Sequence, residues 1–204
     1  MSASTVVVAG LVSGRIGPNA IIRVAEVLPG RVGAAATQRL FEAAGLAHYL
    51  REPPGSMVDE AQVRRLHEIL RRELGWTLAG EIAREAGTRT ARYLLAHRIP
   101  RPVQVLLKLL PAPLAARALL SAITRHAWTF VGSGEFGARP GRPVILTIRR
   151  NPMCVGLQAD VPSCDFYRAT FEGLFEALVH PGARVVETAC AAQGAPACVF
   201  EVRW

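Results

Sequence analysis

Arg184-Val-Val-Glu-Thr-Ala189 and Ala197-Cys-Val-Phe-Glu-Val-Arg203, joined through Gln193-Gly194, are the stretch on which the fold turns. Two β-branched runs separated by a glycine-bearing connection are a hairpin signal. Upstream, Pro143-Val-Ile-Leu-Thr-Ile148 reads as a further strand, closed by Asn151-Pro152. Between it and the hairpin, residues 165–179 place Phe171, Leu174, Phe175 and Leu178 on one helical face. Trp128-Thr-Phe-Val131 leads through the glycine-rich stretch Gly132-Ser-Gly-Glu-Phe-Gly137 into this region. These residues predict an antiparallel sheet of about four strands covered by helices, an α+β fold.

The preceding two thirds read as helical. Residues 20–28 form an apolar stretch opened by Pro18-Asn19 and closed by Pro29-Gly30; a second helix spans 34–44 and stops at Gly45. Asp59 with Gln62 resembles a capping box, and Val63, Leu66, Leu70 and Leu74 follow at helical spacing to Gly75. A helix over 77–97 is stopped by Pro100 and Pro102, and segments 103–110 and 114–127 flank Pro111-Ala-Pro113. The chain reads as one domain, 1–204, with a mainly helical part over 1–127 and a mixed core over 128–204.

Half of the 204 residues are hydrophobic and 20% are charged, so a core can form and wholesale disorder is excluded. Lys and Arg number 24 against 16 acids, a formal charge of +8, and mean hydropathy is +0.24. The longest apolar run, 103–123, is interrupted by Gln104, Lys108, Pro111, Pro113 and Arg117, which argues against a membrane span. The first ten residues lack a positively charged start and a long enough apolar run for a secretory signal, so a reducing cytosol is expected. Charge and apolarity together leave room for peripheral contact with the inner membrane surface. Arg64, Arg65, Arg71 and Arg72 form a stripe interrupted by Glu68, with no nucleic-acid-binding motif beside it. A solvated helix face is the better reading, and no nucleic-acid partner is expected.

In such a compartment four cysteines suggest metal or reactive chemistry. Cys164 follows Ser163, a candidate N-cap of the 165–179 helix, where the helix dipole favours a thiolate. Cys198 shares a strand face with Phe200 and Val202 and points inward, and Cys190 lies at the other side of the hairpin. Three soft thiolates with one more ligand suit tetrahedral zinc. The fourth ligand is Glu187 or Cys154. Glu187 lies three residues before Cys190, so a bulge, or a strand ending at Ala189, is needed to bring both to one ion.

Asn151-Pro-Met-Cys154, Cys164-Asp-Phe-Tyr167 with Gly173, Glu187-Thr-Ala-Cys190, Gly194 and Cys198-Val-Phe200 together resemble the 4-vinyl reductase domain family. The likeness covers about the last sixty residues. Upstream, the helices and the stretch 128–137 resemble the bacteriochlorophyll-biosynthesis branch of that family. The resemblance implies an α+β ligand-binding domain, commonly a homodimer, related to phenol-sensing regulators and vesicle-tethering subunits. In the phenol-sensing relatives three cysteines and a glutamate hold zinc. Carried over, that set is Cys164, Glu187, Cys190 and Cys198, while Cys154 has no counterpart in it.

Reductive chemistry needs an electron source. Gly10, Gly14 and Gly17 echo a dinucleotide fingerprint, but the spacing is wrong and no acid follows about 20 residues on. Neither a nicotinamide nor a flavin cofactor is expected. The resemblance therefore points to an accessory protein that binds a magnesium-porphyrin intermediate and presents it to enzymes of bacteriochlorophyll synthesis. Reduction of the pigment's 8-vinyl group and small-molecule sensing are the alternatives. Such a pocket needs apolar walls and placed cations. Trp128, Phe130, Phe136, Phe171 and Phe175 are candidate walls, Arg149 or Arg150 a carboxylate partner, and His126 or His97 an axial ligand. His48, His67 and His180 have less to recommend them.

Overall fold

The computed structural model describes residues 14–204, so the start of the glycine series, through Gly10, lies outside the described residues. Strand β1 (Arg15–Ile16) pairs antiparallel with β2 (Val58–Asp59), enclosing helices α1 (Asn19–Val32) and α2 (Ala34–Ala43). Ala20, Ile21, Val24, Val27 and Leu28 form the buried stripe of α1. That helix passes the expected stop at Pro29 and continues to Val32. Proline loses only its own donor, and its carbonyl still accepts from Gly33 N (3.1 Å), where a φ of 82° ends the helix.

Helix α3 (Glu60–His97) is broken at Gly75, whose φ of 77° and ψ of 166° are not helical. The two predicted helices are therefore its two arms. Asp59 caps the first arm by accepting from Ala61 N (2.7 Å), whereas Gln62 accepts from the Tyr49 hydroxyl and closes no box. Helices α4 (Arg101–Leu109) and α5 (Ala112–Arg125) follow, each opened by proline. Next come β3 (Glu135–Arg139), β4 (Val144–Arg149), α6 (Asp165–Leu178), β5 (Arg184–Ala189) and β6 (Cys198–Arg203). The sheet is antiparallel throughout, in the order β3-β4-β6-β5. The chain is α+β, as predicted.

Val144, Leu146, Ile148, Phe200 and Val202 line the buried face of the sheet. Helix α6 covers that face with Phe171, Leu174, Phe175 and Leu178, and α3 packs on the outer side of α6. The glycine-rich stretch closes around a buried carboxylate. Glu60 Oε2 accepts from Ser133 N (2.7 Å) and Oε1 from Ser133 Oγ (2.6 Å). A Cβ at Gly132 or Gly14 would fall 2.0 or 2.4 Å from Glu60 Oε2. These glycines make room for an internal hydrogen-bond hub.

Close approach also governs the contact between α3 and α6. Thr170 Oγ1 donates to the Gly87 carbonyl at 3.1 Å, and a Cβ at Gly173 would meet Ala91 Cβ at 2.7 Å. A Cβ at Gly87 would lie 2.3 Å from the Phe166 carbonyl oxygen, which belongs to backbone and cannot swing away. We expect Gly87→Ala to lower stability by about 1–3 kcal/mol, the clash outweighing a helix-propensity gain of about 1 kcal/mol. Gly30→Ala, with nothing within 4 Å of the new methyl, should be neutral or stabilising in the same urea titration.

Candidate metal centre and adjoining groove

Four chain segments each deliver one sulphur to a single buried point. Cys154 comes from the irregular segment after β4, and Cys164 is the N-cap residue of α6. Cys190 follows β5, and Cys198 opens β6. All four are buried, with sulphurs within 4.8 Å of one another. The Cys154–Cys164, Cys164–Cys198, Cys154–Cys198 and Cys164–Cys190 separations are 3.4, 3.4, 3.7 and 4.0 Å. A tetrahedron of thiolates about 2.3 Å from a zinc-sized ion has edges of about 3.8 Å, so the cluster has the right size for a metal ion.

The expected bulge is present. Glu187 pairs with Phe200 and Ala189 with Val199, so Thr188 is extra in β5. That extra residue lets Glu187 and Cys190 both turn inward, at 8% and 1% exposure. Glu187 Oε2 accepts from Cys164 N at 2.9 Å, and Oε1 is buried with no hydrogen-bond partner. Among the described residues, the cluster of donor atoms within 4.8 Å consists of the four sulphurs and does not include this carboxylate.

Polar groups around the sulphurs favour thiolates. Asn151 Nδ2 lies 3.3 Å from both Cys164 Sγ and Cys198 Sγ, and Ala191 N donates to Cys198 Sγ at 3.4 Å. Ser163 Oγ lies 3.6 Å from Cys190 Sγ. Hydrogen bonds from Cys154, Cys164 and Cys198 hold the Cys190 thiol below its ordinary range; those from Cys154 and Cys164 do the same for Cys198. Contact with the other three sulphurs, then burial, pushes Cys164 well up. Two sulphurs thus keep protons so that two can ionise, and a divalent cation would take the place of those protons. Burial raises the Glu187 carboxyl to about 9 against the bond from Cys164.

Arg71 is the nearest cation. Contrary to the solvated-stripe reading, it turns inward, donating from Nη2 to the Ser163 carbonyl at 3.2 Å and lying over the Trp76 ring at 5.6 Å. Burial lowers its pKa, while Cys154 and Cys164 oppose the shift. With Trp76, Leu70, Arg84, Val161 and Pro162 it lines a half-open groove of about 400 Å³ at the break in α3. A shallower groove of about 300 Å³ shares Arg84, Pro162 and Asp165 with it and runs on to Glu187.

Residues 144–204 match the family model of the 4-vinyl reductase domain, in line with the resemblance carried by the cysteine and glycine motifs. Over 188 residues the chain is 46% identical to the bacteriochlorophyll synthase 23 kDa chain of Cereibacter sphaeroides, covering 92% of this chain and 90% of that one. The chain belongs to that 23 kDa chain family. The Rhodobacter capsulatus member is 40% identical over 186 residues, 91% of this chain and 85% of its own length. An H-NOX structure solved to probe heme distortion shares the fold, with a TM-score of 0.54 at 13% identity, over 93% of this chain and 95% of that one.

In this 23 kDa family member the candidate pigment residues are scattered. Phe171 and Phe175 are core residues, 3% and 0% exposed, with Phe175 stacked on Trp204. Phe130 and Phe136 meet edge to face at 5.4 Å beside Phe171. Trp128 is 60% exposed; His126, His97, Arg149 and Arg150 are also on the surface. His97 Nδ1 faces the Tyr93 carbonyl at 3.1 Å, a helix-end contact, and Arg150 pairs with Glu135. None of these residues lines either groove. Sequence reasoning missed Asn151, Arg71, Trp76 and His67. Asn151 opens the quoted Asn151-Pro-Met-Cys154 motif, its one available signal.

His67 offers a test of this interior. Its Nε2 faces the Ala20 carbonyl at 3.4 Å, and burial, then the charge of Arg71, lowers its pKa from 6.5 to about 3. Between those values the unfolded chain binds the proton and the folded chain does not. Stability is therefore full above pH 6.5 and falls as pH drops toward 3, by at most about 1.4 kcal/mol per unit from this group. His67→Gln should lose most of that slope in urea titrations between pH 7 and about 4.5; equal slopes in both proteins would contradict it.

Proposed function

We propose that the chain is an accessory protein of bacteriochlorophyll synthesis, holding a magnesium-porphyrin intermediate and presenting it to pathway enzymes. The near-full-length identity of 46% to a bacteriochlorophyll synthase 23 kDa chain carries this reading. The groove supports it. Trp76, Leu70, Val161 and Pro162 offer an apolar wall for a flat macrocycle, and Arg84 and Arg71 offer donors for peripheral carboxylates. An H-NOX protein studied for its heme has the same fold, so the architecture is compatible with a porphyrin.

In the same proposal zinc joins Cys154, Cys164, Cys190 and Cys198, with Glu187 outside the ligand set as acceptor for Cys164 N. The metal is a redox-inert cross-link tying α6 to the hairpin that floors the second groove. Arg71 offsets part of the charge that four thiolates leave around a divalent ion.

Titration with magnesium protoporphyrin should give a saturable Soret-band shift, with no turnover when NADPH or reduced ferredoxin is added. Arg84→Ala should weaken it about tenfold, the worth of one charge-assisted hydrogen bond. Vinyl reduction by the isolated chain would make it an enzyme, and binding of phenols without the macrocycle would make it a sensor.

Elemental analysis should find one zinc per chain, kept in Glu187→Gln and lost in Cys154→Ser. Loss should lower Tm by about 10 °C or more. Zinc kept in Cys154→Ser and lost in Glu187→Gln would restore the three-cysteine, one-glutamate set.

A further inference from the structure

Helices α4 and α5 turn outward an apolar surface that the fold leaves uncovered. Val105, Leu106, Leu109 and Leu114 are 56%, 58%, 78% and 48% exposed, and Trp128 near the end of α5 is 60% exposed. Leu106 and Val105 lie three and four residues before Leu109, on one side of α4. Leu107 is the buried residue of that helix. Gln104 Nε2 fixes the helix to the end of α3 through the Leu95 and Ile99 carbonyls, at 2.6 and 2.8 Å. The leucines are therefore displayed by an anchored element.

The charge around them has one sign. From Ala86 to Gly134 the sequence contains no Asp or Glu, although the whole chain has 16, and it carries seven Lys or Arg. Arg98, Arg101, Lys108, Arg117 and Arg125 are exposed, and none makes an ion pair among the described residues. A second copy docked here by two-fold symmetry would set these cations against their own equivalents. Nucleic acid would match the charge but leave the leucines in water.

We infer that the α4–α5 surface seats on an anionic phospholipid bilayer. A leucine-bearing helix rimmed by cations lies in the plane of the lipid interface with its apolar side among the upper acyl chains. Tryptophan favours the headgroup level, where Trp128 supplies a ring. No described helix is long and apolar enough to cross a membrane, and the nine residues of α4 rest on the surface.

Flotation of the intact protein with vesicles tests this. Binding is expected to equimolar phosphatidylglycerol and phosphatidylcholine, to fall with added salt, and to be absent with phosphatidylcholine alone. Arg101→Glu with Lys108→Glu lowers partitioning at least about 25-fold, since each cation near an anionic surface contributes about fivefold. Leu106→Ser with Leu109→Ser lowers it at least about tenfold with all charges kept. All four positions are exposed, and unchanged melting curves establish that the variants fold. Failure to float with anionic vesicles, equal flotation with both lipid mixtures, or indifference to either double substitution overturns the inference. So does a dimer, seen by light scattering, that Leu109→Ser converts to monomer.

Discussion

Four thiol sulphurs confined within 4.8 Å in a buried space cannot all ionise unless a cation joins them, and they cannot meet unless four chain segments are in register. Most of the C-terminal half follows from that demand. Cys198 faces the cluster because β6 pairs with β4 as Ile148↔Cys198; a slip of one residue would turn it to the opposite face. Cys190 reaches the same point because Thr188 is extra in β5. Cys164 arrives as the residue before α6, and the Glu187 carboxylate holds its amide in place. The cluster records strand register, helix position and bulge together, and binding a metal there would lock all three.

What the sequence made legible were the segments with a period. The final hairpin, the amphipathic face of α6 and the arms of α3 on either side of Gly75 each carry a repeat that fixes which side chains share a face. Cys154 and Asn151 belong to an irregular segment, where no period says which way a side chain turns; only folding shows Asn151 reaching two sulphurs. Glu187 could be placed inward only conditionally, on a bulge that strand alternation does not encode. Phe171 and Phe175 show another limit. The spacing that puts an aromatic on a buried helix face is the same whether that face meets a ligand or a sheet, and here it meets the sheet.

Arg71 and His67 exposed a weakness of the helical wheel. They lie one turn apart in the first arm of α3, where a charged residue beside Arg72 reads as solvated. Their burial is decided across the groove by Val161, Pro162 and Ser163, far away in sequence. An arginine that donates to a loop carbonyl, stacks on an indole and faces thiolates is a structural counter-charge.

Helix α3 ties the two proposed surfaces to one rigid body. The groove is lined along its middle as far as Arg84, and its last residue, His97, lies thirteen positions on, about 20 Å along the axis. Gly87 sits between them, at the close contact with α6, so this arm cannot tilt without disturbing the helix that carries Cys164. A macrocycle in the groove would be held at a fixed distance from lipid seated on α4 and α5. For a flat apolar pigment with carboxylate edges, bilayer and groove are competing solvents. A holder with cations in its groove and at its rim keeps the charged edge paired in either place, so transfer between them need not strip the carboxylates of their partners.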